Sequence, residues 1–224
     1  MGLVFNAKYD WALFPEKRRI DRRTASTDAD LYANNFRWVR KTRTASACWP
    51  WRLAQELGWV VRSPVDIVMT PVHDVEINCP PDDFDLLTRA TTISELWRRD
   101  DTFLALETNR WLRLYDIRTP DGWEAMFVPN GEGTVEWHLG WAAEIPDGYY
   151  LLVLPDPETP PGLEVIMGVL DAKTLKKLNE KHGMALAVRP TQNVRLTRRQ
   201  VIARIILLHA DSLKLSATDR PEQP

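Results

Sequence analysis

Glu144-Ile145-Pro146-Asp147-Gly148-Tyr149-Tyr150 opens the stretch whose reading decides the fold, and that stretch runs on to Leu208. The apolar run Leu151-Leu152-Val153-Leu154 leads into Pro155-Asp156-Pro157-Glu158. Gly168-Val169-Leu170-Asp171-Ala172 follows, then Val194-Arg195-Leu196 and Val201-Ile202-Ala203-Arg204-Ile205-Ile206. Short apolar runs bounded by Pro, Gly and Asp read as strands closed by turns, because those residues preset or permit the turn dihedrals. Between them, Thr174 to His182 carries Leu175 and Leu178 among lysines and ends at Gly183, which reads as a short surface helix.

The same pattern extends upstream. Phe103–Glu107, Trp111–Ile117, Trp123–Val128, Val135–Trp141 and Tyr149–Leu154 read as strands. The first three are set off by the turn clusters Thr108-Asn109-Arg110 and Thr119-Pro120-Asp121-Gly122. Ala185–Val188, Val194–Leu196 and Gln200–His209 close the set. Short strands at such regular spacing favour a sandwich or barrel over a parallel sheet with crossover helices. Ten Trp, sixteen Pro and ten Gly in 224 residues agree with a turn-rich, aromatic-packed interior. The fold class is therefore mainly β (a β-rich α+β chain), with about ten short strands and two or three short helices. Leu104, Leu106, Leu112, Leu114, Leu152, Val165, Ile202 and Ile205 are the expected core.

Toward the start, Cys48-Trp49-Pro50-Trp51-Arg52-Leu53-Ala54-Gln55-Glu56-Leu57-Gly58-Trp59 reads as a short helix. Pro50 suits its first turn, and Gly58 suits the position past its end. Leu53 and Leu57 share a face, and Trp59-Val60-Val61 continues as a strand. Val65 to Val72 reads as an edge strand and Val75 to Cys79 as another. Asp82 to Arg99 reads as at least partly helical, with Thr92-Ile93-Ser94-Glu95 at capping-box spacing. Residues 1–47 form a basic and aromatic arm, with Phe5, Tyr9, Trp11, Leu13 and Phe14 able to make a short strand. Residues 48–211 form a single β-rich domain, and 212–224 a polar, disordered tail.

Net charge is −2, which gives no global pull toward nucleic acid. From Lys17 to Arg43, however, nine Lys/Arg and three Asp make a local +6, so the rest carries −8. The arm 17–43 is thus the one place where single-stranded nucleic acid could be gripped, although its basic and aromatic residues are not regularly interleaved. The same asymmetry fits contact between subunits. Two cysteines, Cys48 and Cys79, read as buried reduced thiols in a cytoplasmic protein. No apolar run has the length of a membrane span.

The Pro146-Asp147-Gly148-Tyr149 turn, the Gly168-Val169-Leu170-Asp171 turn and the late strand at Ile202-Ala203 together resemble the second half of the trimeric dUTPase and dCTP-deaminase superfamily, the β-clip fold. The resemblance implies a β-clip-like or distorted sandwich and barrel architecture, and self-association. It also implies a role for Asp171, at the position of the aspartate that orients the attacking water; a strand-end carboxylate could serve as general base. The family's next contact, a Tyr three residues on, is Thr174 here. Its phosphate-holding Pro-Arg-Ser-Gly turn is replaced by Pro155-Asp156-Pro157-Glu158, and the Gly-rich carboxyl-terminal clamp is absent. Phosphate recognition needs positive charge and donors, which leaves Arg189 and Arg195 as substitutes, with Asp156 at the turn itself. More loosely, Cys48 to Trp59 and Arg118 to Trp123 resemble a bacterial and phage family that carries no assigned activity.

His73, His138, His182 and His209 stand in no metal-type pair and read as structural or surface groups. No metal site and no cofactor are expected. These readings converge on a non-catalytic binding or assembly module, with phage-related neighbours in view. The alternative is a metal-dependent deoxynucleotide hydrolase, using Mg and Asp171.

Overall fold

The structure is a computed structural model; it describes residues 2–21, 27, 30, 31, 34–36, 48–77, 95–99, 102–107 and 110–216. In chain order the elements are β1 (Val4–Ala7), α1 (Trp49–Glu56), β2 (Trp59–Arg62), β3 (Ile67–Met69), β4 (Asp74–Ile77), β5 (Glu95–Arg99) and β6 (Thr102–Leu106). Then come β7 (Asp116–Thr119), β8 (Gly122–Ala125), β9 (Phe127–Gly131), β10 (Thr134–His138), β11 (Trp141–Glu144), β12 (Tyr149–Leu154) and β13 (Leu163–Val165). β14 (Gly168–Leu170), α2 (Ala172–Glu180), β15 (Ala185–Pro190), β16 (Val194–Leu196) and β17 (Val201–His209) complete the set, with 3-10 turns at Arg110–Arg113 and Ala210–Leu213.

The strands pair antiparallel in small sheets. Two have four strands, in the orders β13-β15-β10-β9 and β14-β12-β17-β2. A three-stranded sheet orders β4-β6-β5, and the pairs β1-β11, β16-β3 and β7-β8 complete the architecture among the described residues. The architecture is mainly β, as the turn-punctuated pattern requires. β12 lies against β17 from Tyr149 opposite His209 to Leu154 opposite Arg204, so the two most apolar runs of the sequence share one ladder.

The core lies between the sheets and is rich in rings. Phe127 and Trp137 sit 5.3 Å apart, and Trp111 meets Phe127 edge-on at 5.4 Å. Trp111 also donates from its indole nitrogen to the Thr70 carbonyl at 3.0 Å, which satisfies its polar end. Leu104, Leu106, Leu112, Val165, Ile202 and Ile205 are buried as expected.

Several expectations are corrected. Leu114 is 60% exposed, and Trp111–Ile117 is not one strand. Trp111 and Leu112 are both buried although adjacent, which alternation forbids and a tight 3-10 turn permits. Leu152 is half-buried because Leu151 and Val153 take the inward parity. The run Trp123–Val128 breaks at Met126, whose N–H donates to the Tyr115 carbonyl, outside either strand. Val135–Trp141 breaks at Gly140, which has φ +76° and receives the Trp11 ring where a Cβ would otherwise stand. Residues 95–99, read as helical, form a strand paired with β6; the rest of 82–94 lies outside the described residues. Cys48 is exposed, while Cys79 lies outside the described residues, as do 217–224 of the expected tail. The described residues hold seventeen strands rather than ten, because several expected runs divide in two.

The early segment lies against the body. β1 pairs with β11, Phe5 packs edge-on to Trp141 at 5.4 Å, and Glu16 bridges Val60. Gly58 follows the C-cap of α1, and its φ of +75° and close approach to the Ile205 carbonyl exclude a side chain. No residue of α1 is buried; Trp49, Leu53 and Leu57, spaced four apart, share one exposed face, and Trp51 is exposed on the other side of the helix.

Candidate functional site

Asp171 is the N-cap of α2. Its carboxylate accepts from the Thr174 N–H at 2.7 Å, which satisfies one of the free donors at the helix start. The hydrogen bonds from Thr174 hold its carboxyl below the usual aspartate range, so it is an ionised cap on the surface. A general base of this type is instead tuned upward by burial.

Arg189 stands opposite Glu164 across β15 and β13, and its Nε donates to Glu164 Oε2 at 2.8 Å. That contact holds the Glu164 carboxyl down and the guanidinium pKa up. Arg195 alternates with buried Val194 and Leu196 and so points to solvent. A cavity of about 260 Å³ lies beside β14 and α2, walled by Met167, Leu170, Leu178 and Leu186 and touched by Thr174; neither arginine lines it. The structure thus places Asp171, Arg189 and Arg195 in three separate roles.

Asp156 is enclosed. One oxygen accepts from Arg18 Nη2 and from the Glu158 N–H, at 2.8 and 2.9 Å. The other accepts from Arg204 Nε at 2.8 Å, with Arg204 Nη2 at 2.7 Å. Burial pushes this carboxyl up, but the Glu158 N–H and the two guanidinium groups outweigh burial and hold it below the usual range. Arg204 also donates to the Ala54 carbonyl, and Arg18 to Gln55 Oε1 at 3.0 Å. This clasp ties the early segment, α1 and β17 together. Of the basic stretch 17–43, Arg18 is used here, and Lys17 lies over the Trp59 ring at 3.8 Å.

The structure brings together a cluster that spacing does not reveal. Glu124 on β8 holds His182 Nε2 at 2.9 Å, and His182 Nδ1 meets the Tyr9 hydroxyl at 3.3 Å. Thr119 Oγ1 donates to the second Glu124 oxygen at 3.1 Å. His138 lies beneath, its ring 4.7 Å from that of His182, and its Nδ1 is buried without a partner. Burial, then His182 and Lys181, lower the His138 pKa to about 4, so it is neutral at pH 7. Burial and Glu124 raise the Tyr9 pKa. Lys8 and Tyr9 line two cavities. One of about 470 Å³ is lined by Lys8, Thr119, Glu124, Lys181 and His182. The other, of about 550 Å³, opens between Trp11, Tyr115, Arg118 and Trp123. The partners come from positions 9, 124, 138 and 182, which no motif spacing links. Among the described residues no three His, Cys, Asp or Glu side chains group to hold a metal ion.

No family model matches the chain, and no curated protein matches it. Among solved structures it is similar to phage dUTPases. The dUTPase of Staphylococcus bacteriophage 80alpha, in a mutant form with dUpNHpp, is 11% identical with a TM-score of 0.39, over 99% of this chain and 90% of that one. A mutant dUTPase of S. aureus phage phi11 is 10% identical with a TM-score of 0.38, over 100% of this chain and 97% of that one. These likenesses assign no role to any residue here. Among the described residues no helix is long and apolar enough to cross a membrane.

Proposed function

We propose that this chain is a non-catalytic binding and assembly module on a β-rich framework. The observation that carries the reading is Asp171. It is exposed, ionised and committed to the Thr174 N–H, and neither Arg189 nor Arg195 lines the cavity beside its helix. Triphosphate chemistry needs charge and donors converging on one point, and these three side chains do not converge. The assembly part rests on α1, whose exposed Trp49, Leu53 and Leu57 offer an apolar face to a second copy of the chain.

The test is pyrophosphate release from dUTP and dCTP with Mg²⁺. No turnover is expected, and Asp171→Asn should behave as the parent does. Metal-dependent release that Asp171→Asn abolishes would establish the hydrolase reading instead. Light scattering over a concentration series tests assembly: mass should rise with concentration, and Leu53→Asp should hold the chain monomeric. A constant monomer mass would remove the assembly claim.

A further inference from the structure

The binding reading above names no ligand, and the cleft on the Trp11 side of Tyr9 supplies one. Pro64, Ile117 and Met126 are buried at its floor. Tyr9 and Trp11 form one wall, stacked at 5.4 Å with planes 6° apart. Tyr115 and Trp123 also line the cleft, and Trp123, 70% exposed, is carried by the β7–β8 hairpin. The tyrosine hydroxyls are already engaged inside the protein: Tyr9 with His182 at 3.3 Å, and Tyr115 as donor to the Asp66 carbonyl at 2.5 Å. What the two tyrosines present to the cleft is therefore ring surface.

The charged rim is balanced. Lys8 and Arg118 line the cleft together with Asp10 and Asp116, two cations and two carboxylates. A phosphate ester or polyanion would meet as much repulsion as attraction there, and so would a cation. A volume of about 550 Å³, an apolar floor and ring walls suit a small molecule. We infer that the cleft lined by Tyr9, Trp11 and Trp123 binds a small uncharged compound with a flat aromatic ring, packed against those rings. Glu124 and His182 act as positioning residues, since they hold the Tyr9 wall and touch no ligand.

Saturation-transfer NMR on the full chain tests this, with indole and phenol as neutral probes and phenylphosphate and benzamidine as charged ones. Trp123→Ala removes one wall at an exposed position, and Trp51→Ala is the control on another exposed aromatic. The neutral probes should show transfer that falls about five- to tenfold in Trp123→Ala, as expected for a lost ring contact, and persists in Trp51→Ala. Transfer unchanged by Trp123→Ala, absent from the parent, or as strong for either charged probe would overturn the inference. Failure here leaves the non-catalytic reading standing, because that reading falls only to pyrophosphate release.

Discussion

Asp156 and Asp171 begin alike and end differently. Each follows a strand, and each accepts a backbone N–H from two or three residues on, Glu158 for one and Thr174 for the other. Each is held below the ordinary aspartate pKa. Asp171 stops there, in water. Asp156 is enclosed and takes two arginines, one from far upstream and one from the closing strand. The lesson is that a turn motif fixes the local hydrogen bond, and burial decides whether the charge is a surface cap or a joint on which distant segments depend.

The sharpest way to break the comparison is to neutralise both aspartates in turn. Asp156→Asn leaves the buried Arg204 without its counter-charge, and a denaturant melt should register a loss of about 3–5 kcal/mol. A loss under about 1 kcal/mol would show that the clasp is an ordinary surface pair. An acid titration separates a third group from both. His138 has a folded pKa of about 4 against an ordinary 6.5, so the unfolded chain binds the extra proton between those values. Stability should therefore fall as pH drops from about 6.5 to 4, by roughly 3 kcal/mol, and then level off for this group. The contribution of Asp156 has the opposite origin: it is fully present above the ordinary aspartate pKa and is lost only below it. His138→Gln should flatten the upper window and spare the lower one; an unchanged slope would mean that His138 is solvated. The smallest effect belongs to the cap. Asp171→Ala should lower the melting temperature by about 2–4 °C, while Asp171→Asn, an equally good N-cap, should leave it unchanged.

The closing half of the fold was legible because its signals are local. Val201 to His209 is apolar apart from Arg204 and His209 and holds no Gly or Pro, and Asp171 precedes a lysine-rich amphipathic helix, so strand and helix follow from neighbouring residues. Trp111-Leu112 misled because two adjacent apolar residues can both be buried once the chain turns, and period counting assumes that it does not. The candidate site was hidden for a different reason. Glu124 and His182 are ordinary surface residue types, and His138 ends a strand that also carries the polar Thr134 and Glu136, so it does not stand out. Only the pairing of β10 with β15 and the packing of α2 against β11 bring the histidines together. The Asp156 clasp was illegible likewise, because Arg18 looked like one basic residue in a run and Arg204 like an interruption in an apolar strand.

The pairing of β1 with β11 has a consequence for the order of events in synthesis. Val4 stands opposite Glu144, and Ala7 opposite Trp141. At about 5–20 residues per second, a ribosome delivers the second strand on the order of ten seconds after the first. For that interval Phe5 has no Trp141 to meet, and no backbone partner waits for its neighbours. Closing so large a loop also carries an entropic penalty that local hairpins such as β7–β8 avoid. The strand made early is thus among the last to be seated, and until it arrives β11 remains an open edge in the nascent chain.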